Sequence, residues 1–211
     1  MKAKSLKESY RKGLWAFLIV NVVVFWLTKF ASFDGDFAQL LYRISNKESL
    51  YLLVGPVVVL VFNGLVSADN KERLVFWKID NPLPGSEAFS YHLEREPRAN
   101  RSKIEAKWGE LPSTPNEENS LWYDMLKDSE HEVSVTDSHG NFLFSRDLAA
   151  FAALIMAVLG MVVLLSGADV FVKLSYLLFV VVQYIVTATA ARNYGIRLVR
   201  NVLAVQSARW S

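Results

Sequence analysis

The sequence contains no cysteine, which removes disulfides, thiolate metal sites and cysteine nucleophiles at once and leaves the redox compartment open. Histidine is scarce as well: His92, His131 and His139 are the whole set. Their spacing, even with Glu132 or Asp137 as companions, matches no HExxH or comparable ligand pattern, so polar surface histidines are the preferred reading. There is no GxSxG elbow, no phosphate loop, no glycine fingerprint, no internal repeat and no low-complexity tract. The carboxylates are interspersed with lysine and arginine, as on a solvated, salt-bridged surface. No catalytic constellation stands out, so no enzyme, metal or cofactor is expected.

What the chain has in quantity is apolar sequence. Of 211 residues 52% are hydrophobic, yet 21% are charged, a mixture that fits a membrane part joined to one small polar part. Leu148–Ser166 is nearly unbroken apolar sequence. At about 1.5 Å per residue its roughly 19 residues cross about 30 Å of hydrocarbon. After Gly167-Ala168-Asp169, Val170–Ala191 repeats the pattern with one internal charge, Lys173. So short a link makes the two spans antiparallel neighbours. A buried hairpin of a soluble protein normally keeps a polar stripe, and these runs have none.

Toward the amino terminus, Lys2, Lys4, Lys7, Arg11 and Lys12 precede a first span, Leu14–Ser32. The run is longer than a signal core and no Ala-x-Ala site follows, so a retained span is expected, with Trp15, Trp26 and Phe33 near the interfaces. A mixed-charge loop, Phe33–Ser49, leads to a second span, Leu50–Val66, with Gly55-Pro56 in its first turns. Lys71, Arg73, Lys78 and Arg146 flank the one long polar stretch, and Arg192, Arg197, Arg200 and Arg209 mark the carboxyl end. The positive-inside rule puts all three basic-flanked segments in the cytoplasm and both short turns outside. The expected architecture is therefore an all-α membrane protein: four transmembrane helices as two hairpins, with a mainly helical cytoplasmic insert between the second and third. Residues 1–67 hold the basic amino terminus and first hairpin, 68–147 the insert, 148–191 the second hairpin and 192–211 a basic tail. In a bacterium this is an inner-membrane protein with both termini cytoplasmic.

Within the insert, Asp69–Ile79 reads as a continuation of the second span, broken at Asn81-Pro82-Leu83-Pro84-Gly85. Ser86–Glu96 reads as a short helix capped by Ser86, and Arg98–Lys107 as a basic helix ending at Gly109. Thr114-Pro115-Asn116-Glu117 has the form of a capping box, opening a helix with Leu121, Trp122, Met125 and Leu126 on one face. For 132–144 a β-hairpin around Ser138-His139-Gly140-Asn141 and a helix leading into the third span both fit, and the helix is preferred.

Two groups of residues are candidate sites. Arg98, Arg101, Lys103 and Lys107 put four cations in ten residues against Glu105 alone, a pattern that suits phosphates of a nucleotide or oligonucleotide, with Trp122 and Tyr123 available for stacking. A solvated helix face and contact with anionic lipid headgroups fit the same cluster. In the membrane, Asn21, Gln183, Tyr184 and Thr187 are polar groups that lipid disfavours, so they line either a pore or a helix interface. Four spans of one chain enclose little lumen, so a water path needs a homo-oligomer.

The layout of two spans, helical insert, two spans and basic tail, with the stretches Asn81-Pro82-Leu83-Pro84-Gly85, Leu121-Trp122-Tyr123 and Phe144-Ser145-Arg146-Asp147, resembles the four-transmembrane effectors of bacterial antiphage defence systems. These include effectors encoded beside nucleotidyltransferases, the membrane effector of Hailong-type systems and the four-span subunit of Kiwa systems. The resemblance rests on hydropathy over the whole chain and assigns no residue a role. It implies an oligomeric ion channel or membrane-disrupting protein, triggered by a nucleic-acid-derived signal, that stops growth of the infected cell. The alternative is a non-conducting anchor whose insert recruits a soluble partner protein.

Overall fold

The structure, a computed structural model, describes residues 6–31, 61 and 64–208. The expected loop 33–49 and nearly all of the expected second span, Leu50–Val66, lie outside them. Among the described residues the chain is helical, with no strand. In order come α1 (Leu6–Ala31), α2 (Ala68–Phe76), the 3-10 turn Pro84–Glu87, the π-type turn Ala88–His92, the 3-10 turn Leu93–Arg95, α3 (Arg101–Trp108), α4 (Pro115–Asp128), α5 (Val133–Leu164) and α6 (Val170–Ala208). Helices α5 and α6 are each long and apolar enough to cross a membrane, and α1 carries a shorter apolar segment, Lys12–Thr28.

These elements form two compact units. The apolar unit takes its described residues from the first 68 and from Asp147–Thr187. Leu18 and Phe25 of α1, Phe151, Ile155 and Val163 of α5, and Tyr176 and Val180 of α6 make its core. Phe25 meets Tyr176 edge-on, with ring centroids 6.1 Å apart. The opposite face of α6 carries Phe171, Leu174, Leu178, Val182 and Ile185 at helical spacing, all exposed. A row of large apolar side chains facing outward is what a lipid-facing helix presents, and what a soluble helix avoids.

The polar unit comprises Asp69–Arg146 together with the described part of the carboxyl end, 188–208. Residues 192–208 are thus no loose tail. They continue α6, and Leu198, Val199, Val202 and Leu203 are buried with Ile104, Met125, Val135 and Phe142. α6 packs closely at Gly195: a Cβ there would lie 2.8 Å from Phe76 Cζ and 3.1 Å from the Phe142 ring.

The preferred helix for 132–144 is found, as the start of α5 from Val133. Elsewhere local structure corrects several expectations from sequence. The chain is non-helical at Val66 and Ser67, so α2 starts afresh instead of prolonging the second span, and it ends at Phe76. Trp77 then takes a left-handed φ of 54° while its N–H donates to the Arg73 carbonyl at 2.9 Å. Helix α3 begins at Arg101 because the Asn100 side chain accepts the Lys103 N–H, so Arg98 lies outside it. Ser86 caps no helix: Ser86–Glu96 is a chain of 3-10 and π-type turns. Its irregular backbone is held by the buried Glu118, whose carboxylate accepts the N–H groups of Phe89 (2.8 Å) and Ser90 (3.2 Å). Helix α4 starts after Thr114 with Pro115 in its first turn, but the Thr114 hydroxyl donates to the Glu117 carboxylate at 2.6 Å and does not cap the backbone.

Candidate functional site

The four cations of the candidate phosphate cluster sit on α3 and the segment before it, and they are engaged within the chain. The Arg98 guanidinium donates to both oxygens of Glu96, at 2.6 and 3.1 Å, and to Asn201 Oδ1 at 3.1 Å. That paired hydrogen bond holds the Glu96 carboxyl below its ordinary value and pushes Arg98 above its own. Arg101 pairs with Glu105 at 3.2 Å, one helical turn on, and reaches the Phe89 carbonyl at 3.4 Å. Lys107 Nζ lies 2.7 Å from Asp128, 3.1 Å from Gln206 Oε1 and 4.7 Å from the centre of the Trp108 ring. Lys103 is half-buried on the same helix.

The two stacking candidates separate. Trp122 is buried beneath the Pro84-Gly85 turn, where a Cβ on Gly85 would come within 2.5 Å of its ring, so it belongs to the core. Tyr123, next in sequence, is exposed on the other face of α4 with Lys127 Nζ 4.4 Å over its ring. The structure therefore does not bring Trp122 and Tyr123 together as a stacking platform.

The residue that organises this region is one the sequence reading passed over. Gln206, fully buried on α6, accepts hydrogen bonds at Oε1 from Lys107 Nζ and from Trp108 Nε1, each at 3.1 Å. Its amide nitrogen shares two hydrogens among Ser129 Oγ (2.7 Å), Asp128 (2.9 Å) and the Met125 carbonyl (3.1 Å). One carboxamide thus joins α3, α4 and α6. Asn201 and Ser207 add further links, Asn201 donating to the Ser134 carbonyl and Ser207 accepting the Asn100 N–H. A polar residue recurring with Leu198, Val202 and Leu203 on one helix face was the available signal.

In the apolar unit three of the four pore-or-interface candidates share one turn of α6, and the fourth, Asn21, lies on α1. Asn21 on α1 is buried and donates to the Phe17 carbonyl at 2.9 Å, leaving Oδ1 without a partner. Thr187 is buried, and its hydroxyl donates back to the carbonyls of Gln183 (2.9 Å) and Tyr184 (3.0 Å) on its own helix. Gln183 and Tyr184 are half-buried, and Gln183 Oε1 has no hydrogen-bond partner.

Of the histidines, His92 is buried, and desolvation with the nearby Arg200 lowers its imidazole to about 4. Burial lowers His139 too, while His131 is exposed beside Glu132. Among the described residues no three His, Asp or Glu side chains converge to hold a metal ion. Comparison of the chain with protein-family models, with curated proteins and with solved structures finds no match.

Proposed function

We propose that the chain is a membrane effector in antiphage defence. On this reading copies assemble through the outward faces of their spans, and the polar unit, lying in the cytoplasm, controls whether the assembly breaches the bilayer. The observation that carries the reading is the continuity of α6. The helix whose first half bears the exposed apolar row Phe171 to Ile185 has Gln206 and the polar core on its second half. A tether needs only a flexible linker, whereas an unbroken helix transmits a displacement from one end to the other. The trigger in this proposal is a nucleotide or oligonucleotide. Its phosphates exchange with Glu96, Glu105 and Asp128 for the cations of Arg98, Arg101 and Lys107. Drawing Lys107 away from Asp128 and Gln206 loosens α3 from α6.

The experiment is salt-sensitive binding of short oligonucleotides to the purified protein. Binding at low salt, abolished when Arg98, Arg101, Lys103 and Lys107 are changed together to glutamine, supports the reading. Absence of binding by the wild type removes the trigger. The second reading, a non-conducting anchor for a soluble partner, draws on the internal pairing of the cations and on the exposed Trp77, Tyr91 and Tyr123 of the polar unit.

A further inference from the structure

Helix α2 touches the residues that bound both long apolar runs. The run of α5 begins at Leu148, and just before it the Arg146 guanidinium lies 3.4 Å from Glu72 of α2. The run of α6 ends at Ala191, and the next residue, Arg192, donates to the Val75 carbonyl of α2 at 3.2 Å. A helix that crosses hydrocarbon carries the residue just past its apolar run into the headgroup layer, where arginine flanks collect. With α5 and α6 as spans, a contact to Arg146 and a contact to Arg192 put α2 at that depth.

The end of α2 has the side chains that such a layer takes. Phe76, its last residue, is buried with its ring centroid 6.2 Å from that of Phe142. Trp77 then adopts the left-handed φ of 54°, uncommon for a bulky side chain, and the chain leaves the core. Trp77 is 54% exposed and Ile79 77%. Lys78, between them, is neutralised by Glu87 at 2.6 Å. Arg192 Cζ stands 4.3 Å from the centre of the Trp77 ring. No carboxylate among the described residues pairs with Arg192, and its buried Nε has no hydrogen-bond partner. Arg98, Arg101 and Arg146, by contrast, each have a carboxylate within 4 Å.

An indole and an aliphatic side chain suit the glycerol level of a bilayer, and an arginine without a counter-ion suits the phosphates beside it. We infer that the end of α2, Trp77 to Ile79 with Arg192 beside it, is an interfacial anchor seated in the phospholipid headgroup layer. A lipid phosphate is the counter-ion of Arg192. The exposed Asp80 follows on the water side. The inference rests on the membrane-spanning part of the proposed function and involves neither ion flux nor nucleotide.

Because the chain has no cysteine, a single introduced one carries a nitroxide label without background. The full chain is reconstituted in phosphatidylcholine–phosphatidylglycerol vesicles, labelled in separate samples at Ile79→Cys, at Leu178→Cys on the exposed row of α6, and at Tyr123→Cys on α4. All three positions are exposed, so the substitutions leave the core intact. Collisions with oxygen, which concentrates in lipid, and with a water-soluble nickel chelate read the depth of each label. Leu178 should read hydrocarbon, Tyr123 water, and Ile79 a depth between them at the phosphate level. Adding Arg192→Gln should shift the Ile79 label toward water. An Ile79 label as open to the chelate as the one at Tyr123, with Leu178 in hydrocarbon, overturns the anchor while the spans stand. Shielding of Ile79 from both reagents also overturns it, in favour of a protein contact there. A depth unchanged by Arg192→Gln contradicts the phosphate contact. Leu178 in water removes the membrane reading, and the anchor with it.

Discussion

Gln206 Oε1 accepts the indole N–H of Trp108 at 3.1 Å, tying the end of a basic helix to the last turns of α6. Replacing Gln206 by leucine keeps the bulk but leaves Trp108 Nε1, the Met125 carbonyl and the Lys107–Asp128 pair with fewer partners. A buried network losing its centre costs about 2–4 kcal/mol. Thermal unfolding of the purified protein should show it, and hydrogen exchange should show α3 losing protection first. A variant as stable as wild type would mean that the network is dispensable.

The two close-packed glycines predict a second pair of effects. Gly195→Ala puts a Cβ 2.8 Å from Phe76, and Gly85→Ala puts one 2.5 Å from Trp122. Overpacking of this kind destabilises by about 1–3 kcal/mol. Chemical denaturation followed by tryptophan fluorescence measures both. Gly64→Ala, with nothing within 4 Å, is the control and should change little.

Some of this was legible in the sequence and some was not. The start of α4 at Thr114-Pro115 and the end of α3 at Gly109 were readable because a proline in the first turn and a glycine at the end act locally. The turns from Pro84 to Arg95 were not, because their backbone is fixed by Glu118, 29 residues beyond Phe89. Gly85 reads as a chain breaker, but its burial under Trp122 is a tertiary fact. The packing of the described carboxyl end was not read, because its arginines outweighed the apolar spacing of Leu198, Val202 and Leu203. Of the candidate cations, Arg98 and Arg101 pair with carboxylates two and four residues away, within reach of a sequence reading, whereas the Lys107–Asp128 pair and the burial of Trp122 depend on packing.

Acid stability gives a third prediction. His92 is neutral in the fold, its value lowered from 6.5 to about 4 by burial. Its contribution is complete above pH 6.5 and is lost as pH falls toward 4, a change of about 3 kcal/mol at most. His139, also lowered, acts in the same direction. Glu96 joins only below the ordinary carboxylate value, and Glu72, raised by burial, acts with the opposite sign. Melting temperatures between pH 7 and 5 should therefore fall for wild type and fall less for His92→Phe. Parallel curves for the two proteins would refute the assignment to His92.

Membrane topology is the fourth. If the basic flanks obey the positive-inside rule, Asn100 and Ser211 face the cytoplasm and Gly167 and the residues after Ser32 the outside. Reporter fusions at these positions should divide in that way. An insert on the outer side would take away any cytoplasmic trigger.

Ion release from vesicles tests the effector reading itself. Potassium-loaded vesicles carrying the reconstituted wild-type chain are mixed with short oligonucleotides, and the efflux is recorded. The account predicts release that depends on the oligonucleotide and is lost in the four-glutamine variant of Arg98, Arg101, Lys103 and Lys107. Efflux independent of the oligonucleotide would contradict gating through the polar unit. No efflux from a correctly inserted wild-type chain, with oligonucleotide bound, would contradict the effector reading and leave the anchor in its place.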